Sequence, residues 1–272
     1  MLNNLNLTRR RRRGDKPHHF KRGVYLLPSL FTVANLFCGY ASLIHATRAD
    51  FDTAALFIGV AMVLDMLDGF FARLTDSSTA FGVQLDSLAD VVSFGLAPAV
   101  LAFSWGLWPL RRLGWAAAFI YVAAAALRLA RFNIQSAAAT DKRYFVGLAT
   151  PPAAAVIAST VFLYPVGLAD PRAALPALAM VLVPAFLMVS TIRFRSIKAI
   201  DMGWRRSYLG LFLAAVGIAL IATQPRIALV VLAYTYLVSA FMGLAYTRLR
   251  RRHADGTHES PSATPPESLP PT

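Results

Sequence analysis

The stretch Asp65–Asp90, DMLDGFFARLTDSSTAFGVQLDSLAD, places four carboxylates, Asp65, Asp68, Asp86 and Asp90, between long apolar runs. Acids are expensive inside a bilayer and stand there paired or for a function. How this segment folds therefore decides what kind of molecule the chain is. Asp65 and Asp68 are three residues apart and Asp86 and Asp90 four, so on helices each pair occupies a single face. One unbroken helix would hold Asp65 and Asp90 roughly 37 Å apart at about 1.5 Å per residue, too far to act together. LTDSSTAFG (74–82) supplies the break: Asp76, Ser77, Ser78 and Thr79, then Gly82. A helical hairpin at this point returns the second acidic pair against the first, with Asp76 merely solvated in the turn.

Four carboxylates so gathered repel. A like-charged pair at ~4 Å is worth on the order of 4 kcal/mol even at an effective dielectric near 20, so a cation must sit among them. No His is near in sequence and the single cysteine, Cys38, is remote. An all-oxygen donor set points to a hard divalent ion, Mg²⁺ or Mn²⁺. Such ions complete their shells with water and substrate phosphate, which suggests phosphoryl transfer. Gly69, Ala72 and Gly82 would let a bulky ligand approach the backbone, with plain helix packing as their alternative use.

The rest of the chain supplies the setting. Of 272 residues, 57% are hydrophobic and 15% charged, and the two Glu, Glu259 and Glu267, stand near the C-terminus. This is the composition of an all-α, polytopic integral membrane protein. About eight spans are expected, near 24–46, 53–73, 83–104, 114–132, 151–168, 175–194, 207–223 and 227–247. Residues 1–23 read as a basic cytosolic arm without a cleavable signal, and 251–272 as a disordered, Pro-rich tail. With the N-terminus inside, 22 of the 27 Lys and Arg fall on the cytosolic side. That asymmetry follows the positive-inside rule and places both termini and the acidic cluster on the cytosolic face. The formal charge of +13 is then mainly a topology signal. Nucleic-acid binding is not expected, since the Arg run has no aromatic interleaving.

Asp65-x-x-Asp68-Gly69-x-x-Ala72-Arg73, eight residues, then Gly82-x-x-x-Asp86-x-x-x-Asp90 resembles the signature of the CDP-alcohol phosphatidyltransferase family at every fixed position. The resemblance implies a six-helix catalytic core over about 24–200, additional helices over 201–250, usually a homodimer, and two divalent metals. It implies attack of an alcohol on the β-phosphate of a CDP-linked lipid, with release of CMP. Asp65, Asp68, Asp86 and Asp90 would hold metal, and Asp90 would be the general base. Asp65, Gly69, Ala72, Arg73 and Gly82 would border the CDP-lipid. The physics is consistent with these roles: a hydroxyl needs a base beside the metal, and an Arg can neutralise diphosphate oxygens.

Five further stretches, PSLFTVANLFCGYASL (28–43), DVVSFGLAPA (90–99), LRLARFN (127–133), FVGLATPPAAA (145–155) and MVSTIRFRSIK (188–198), resemble the membrane-embedded bacterial and archaeal branch that accepts L-serine and uses CDP-diacylglycerol. In a bacterium the chain would sit in the cytoplasmic membrane. Ala149-Thr150 departs from the Pro-Ser or Pro-Thr pair common in that branch. Arg128 and Arg131, one turn apart, and Asn133 are candidates to hold the acceptor, because a serine carboxylate suits Arg bidentately. Positive-inside anchoring would also explain them. Interfacial snorkelling accounts better for Arg193, Arg195 and Lys198. Asn35 and Ser93 either line the site or join helices. Another acceptor (glycerol 3-phosphate, inositol phosphate or choline) is the main alternative. A cation or proton transporter is the remote one, as its acids should be spread through the membrane depth.

Overall fold

The computed structural model describes residues 26–75, 79–137, 144–190, 193–195, 215, 219 and 222–239. Helix α1 spans Leu26–Thr47 and α2 Phe51–Thr75. The run Ala80–Leu110 is α3, Arg112–Ala137 is α4, Thr150–Leu163 is α5, Pro171–Val189 is α6 and Pro225–Ser239 is α7. Five of these, α1 to α4 and α6, are long and apolar enough to cross a membrane, and α5 and α7 are shorter apolar helices. The helical, polytopic membrane architecture expected from composition is what forms. Among the described residues a single short pairing is added to it: Tyr144–Val146 (β1) runs antiparallel to Arg193–Arg195 (β2), with Phe145 opposite Phe194. The arm 1–23, the tail 251–272 and nearly all of the expected span 207–223 lie outside the described residues.

Small residues decide how closely the helices approach. Ala46, Ala54, Ala55 and Ala61 are buried along α1 and α2, and Ala124, Ala125, Ala153 and Ala154 along α4 and α5. In a bilayer, where apolar burial gives helices no reason to associate, this close van der Waals packing supplies the attraction. Outward, Leu30, Phe37, Met66, Phe70, Trp115, Phe119 and Phe186 are each more than half exposed. Lipid tolerates such a surface and water does not.

Two helix boundaries differ from expectation for local reasons. The fifth span stops at Leu163 and not near 168, because Tyr164 precedes Pro165 and takes an extended φ of −130°. The third continues past 104 to Leu110 by loosening twice, through π-helical turns at Val91–Leu96 and Phe103–Leu107. Pro98 has no N–H to offer the Phe94 carbonyl one turn back, and Tyr121 Oη donates to that carbonyl at 3.3 Å. Pro109 likewise offers nothing to Trp105, whose carbonyl accepts from Leu168 N at 2.7 Å. Each proline frees a carbonyl that a neighbouring segment satisfies, so α3 stays continuous although irregular. The first π turn begins immediately after Asp90, a placement common beside functional residues.

Candidate catalytic site

The helical hairpin forms. Thr79, extended at φ −107° and ψ 153°, caps α3 by accepting from Gly82 N at 3.0 Å. A Cβ at residue 82 would stand 3.1 Å from that hydroxyl oxygen, so the smallness of Gly82 serves the cap. Residues 76–78, Asp76 among them, lie outside the described residues. Across the turn, the second half of α2 and the first turns of α3 bring one carboxylate oxygen each of Asp65, Asp68 and Asp86 within 4.8 Å of one another. Asp90, nearly buried at 9% exposure, faces Asp65, Asp68 and Asp86 from the next turn of α3.

This donor set suits a hard divalent cation. The oxygens converge, and Asp86 Oδ1 is buried with no hydrogen-bond partner among the described residues. A buried acceptor without a donor costs about 1–3 kcal/mol, more for a charge, unless something positive meets it. Among the described residues the cation facing Asp90 and Asp65 is Arg128, and one guanidinium does not balance four carboxylates. Asp65, Asp68 and Asp86 are the residues that would hold metal, with Asp90 at its edge.

Helix α1 supports the cluster from the side. Thr32 Oγ1 donates to Asp68 Oδ2 at 3.0 Å, and the fully buried Asn35 reaches Asp90 Oδ1 with Nδ2 at 3.5 Å. Ser93 Oγ donates to the Asn35 carbonyl at 3.0 Å, tying α1 to the π turn. Gly39 makes that proximity possible: a Cβ there would stand 2.4 Å from Ser93 Oγ and 2.8 Å from its Cα. Thr32 and Gly39 were not singled out by sequence, although Thr32 lies three residues before Asn35 and so on its face.

The three acceptor candidates on α4 separate. Arg128 points to the aspartates, its Nη1 donating to the buried Thr150 Oγ1 at 2.9 Å and its guanidinium lying 5.3 Å from the Phe132 ring centre. Arg131 Nη1 donates to the Val189 carbonyl at 3.3 Å, near the end of α6. Asn133 Nδ2 donates to Ser87 Oγ at 2.9 Å, on α3 beside Asp86. Thr150, the second residue of the Ala149-Thr150 pair noted in sequence, is thus the residue that steadies Arg128. Arg73 is exposed at the mouth, and among the described residues its Nη1 is the one atom within 4 Å of a Cβ built on Gly69, so no described neighbouring helix requires that glycine. Ala72 is half-buried beside it. The backbones of Arg193 and Arg195 form β2 at this end of the bundle, and Lys198 lies outside the described residues. Gly147, at φ +83°, makes the tight passage between β1 and α5, where a Cβ would meet Met188 O at 2.6 Å.

A family model described as CDP-alcohol phosphatidyltransferase matches residues 25–189. The chain is 35% identical over 217 residues to a CDP-diacylglycerol–serine O-phosphatidyltransferase of Helicobacter pylori, covering 79% of this chain and 89% of that one. It is 34% identical to the protein of the same name from Bacillus subtilis, over 63% of this chain and 91% of the other. An archaetidylserine synthase of Methanothermobacter thermautotrophicus is 35% identical over 49% of this chain and 56% of its own.

Proposed function

The chain belongs to the CDP-alcohol phosphatidyltransferase family, and from that premise we propose that it moves the phosphatidyl group of CDP-diacylglycerol onto the hydroxyl of L-serine, giving phosphatidylserine and CMP. The observation that carries the proposal is the convergence of Asp65, Asp68 and Asp86 oxygens within 4.8 Å, with Asp90 facing them. The names of the relatives support serine as acceptor. Mg²⁺ or Mn²⁺, two per site, would neutralise the diphosphate and the departing CMP.

The residues divide the remaining work. Asp90 takes the proton from the serine hydroxyl as the new oxygen–phosphorus bond forms and the bond to CMP breaks. Asn35 Nδ2, reaching Asp90 from α1, orients its carboxylate. Arg128, held by Thr150, receives the serine carboxylate. Arg73, exposed at the mouth, meets the diphosphate, and Gly69 leaves it space. Residues 24–200 make up the catalytic core, 201–250 add helices, and the molecule works as a homodimer in the cytoplasmic membrane with both termini and the site facing the cytosol. A transporter is disfavoured because the four acids gather at one end of α2 and α3 and do not line a path through the bundle.

Purified chain in detergent with Mn²⁺ or Mg²⁺ should release CMP from CDP-diacylglycerol when L-serine is added. Release with a different alcohol, and none with serine, reassigns the acceptor.

A further inference from the structure

Helix α7 lies beyond the residues that the family model matches, yet it is fixed to the core along its length. Arg226 Nη2 pairs with Asp52 Oδ1 at 2.9 Å and its guanidinium lies 4.8 Å from the Phe162 ring centre. Two turns on, Tyr234 Oη and Thr160 Oγ1 are 3.1 Å apart. Between these attachments α7 does not close on α2 and α5. A cavity of about 170 Å³ remains, lined by Gly59 and Met62 of α2, Ala158 and Phe162 of α5, and Leu229 and Leu232 of α7 among others. Among the described lining residues the one hydroxyl, on Ser159, already donates to the Val156 carbonyl at 3.3 Å. An apolar cleft of this volume, partly open at the surface of the bundle, has room for about six carbons.

Its position on α2 indicates the occupant. At 3.6 residues per turn, Gly59, Met62, Met66, Gly69 and Arg73 follow one stripe of the helix. Above the cavity the stripe is open, with Met66 64% exposed and Arg73 exposed. From Gly69 down to Gly59 is roughly 15 Å of helix, and half of a ~30 Å hydrocarbon core, the depth that one leaflet's acyl chain fills, is also about 15 Å. Gly59 has nothing within 4 Å of a built Cβ, so helix packing does not call for a glycine there.

We propose that the cavity between α2, α5 and α7 receives one acyl chain of the CDP-linked lipid, and that α7 thereby sets the chain length the protein prefers. This rests on the placement of the diphosphate at Gly69 and Arg73 but not on serine as the acceptor. A side chain at Gly59 fills the cavity floor, and a longer one at Leu232 fills it from the opposite wall. Both leave the diphosphate end untouched.

The test measures retention of radiolabelled CDP-diacylglycerol by the purified full chain in Mn²⁺ without serine, comparing dipalmitoyl with dioctanoyl lipid. Gly59→Leu and Leu232→Trp should each lower the dipalmitoyl-to-dioctanoyl affinity ratio about tenfold or more relative to the unsubstituted chain. An unchanged ratio in both variants overturns the acyl-chain assignment, whether the two affinities hold or fall together. Retention of neither lipid by the unsubstituted chain overturns the CDP-lipid reading itself. Lipid retention without serine-dependent CMP release strikes only at the acceptor.

Discussion

As the proposed base, Asp90 is the residue on which turnover should depend most: its carboxylate faces the other three aspartates and is approached by Asn35 Nδ2 and Arg128. Asp90→Asn keeps shape and removes the base, so CMP release should fall by about 10²–10⁴-fold while CDP-lipid is still retained. Full activity in that variant would remove Asp90 from the role. Thr32→Val tests a subtler dependence. It deletes the donor to Asp68 Oδ2 at constant volume, and groups that orient metal ligands are worth about 10–100-fold in metal affinity or activity. The Mn²⁺ concentration for half-maximal CMP release should rise by that order, with serine KM little moved. The four acids were legible from spacing alone, since two pairs on two faces with a breaker between them have few other folds. The contacts of Thr32 and Thr150 were not. A threonine in an apolar helix commonly bonds a carbonyl of its own helix, as Thr160 does with Val156 at 2.7 Å. Only the packing of α1 on α2, and of α4 on α5, turns these two hydroxyls toward Asp68 and Arg128.

At the scale of elements, the irregular helix α3 and the close joint between α1 and α3 shape the site. The prolines that interrupt α3 were visible in sequence, but the donors that meet the freed carbonyls come from far along the chain, Tyr121 on α4 and Leu168 after α5. No local pattern announces a π turn whose compensation is tertiary. Tyr121 is fully buried, so Tyr121→Phe leaves the Phe94 carbonyl without that donor and should lower stability by about 1 kcal/mol. Pro98→Ala restores an N–H one turn away. In a double-substitution cycle read by thermal unfolding in detergent, Pro98→Ala should reduce the cost of Tyr121→Phe. Strict additivity would show that the two are not coupled. Gly39 tests the other joint. Gly39→Ala inserts a Cβ against Ser93, whose Cα cannot give way as a flexible side chain could. Helix α1 must then move off α3, carrying Thr32 and Asn35 from Asp68 and Asp90. Activity should drop at least tenfold, measured as serine-dependent CMP release, and an unaffected rate would mean that α1 does not position the acids.

For the whole molecule, hydropathy foretold the helical membrane architecture and the order of the helices, because bilayer thickness imposes its length on every apolar run. It did not foretell that α7 would leave a cavity against α2 and α5, which depends on side-chain volumes across three helices distant in sequence. The same assembly fixes how stability should respond to metal. Without metal, folding brings four carboxylates together against, among the described residues, the one cation Arg128, and each pair at close range opposes the fold. With cations, the repulsion becomes the binding site, and a ligand at 100 times its Kd adds about 2.7 kcal/mol to stability. Asp86→Asn removes one of the opposed charges and one metal ligand together. Two thermal melts of the full chain, in EDTA and in saturating Mn²⁺, should therefore cross: the variant melts above the unsubstituted chain in EDTA and below it in Mn²⁺. An ordinary structural carboxylate would instead make the variant less stable in both, with no dependence on the ion. A crossing tied to Asp86 would thus report metal held by the hairpin independently of any assay for turnover, because it reads the charge balance of the folded state and not the chemistry performed there.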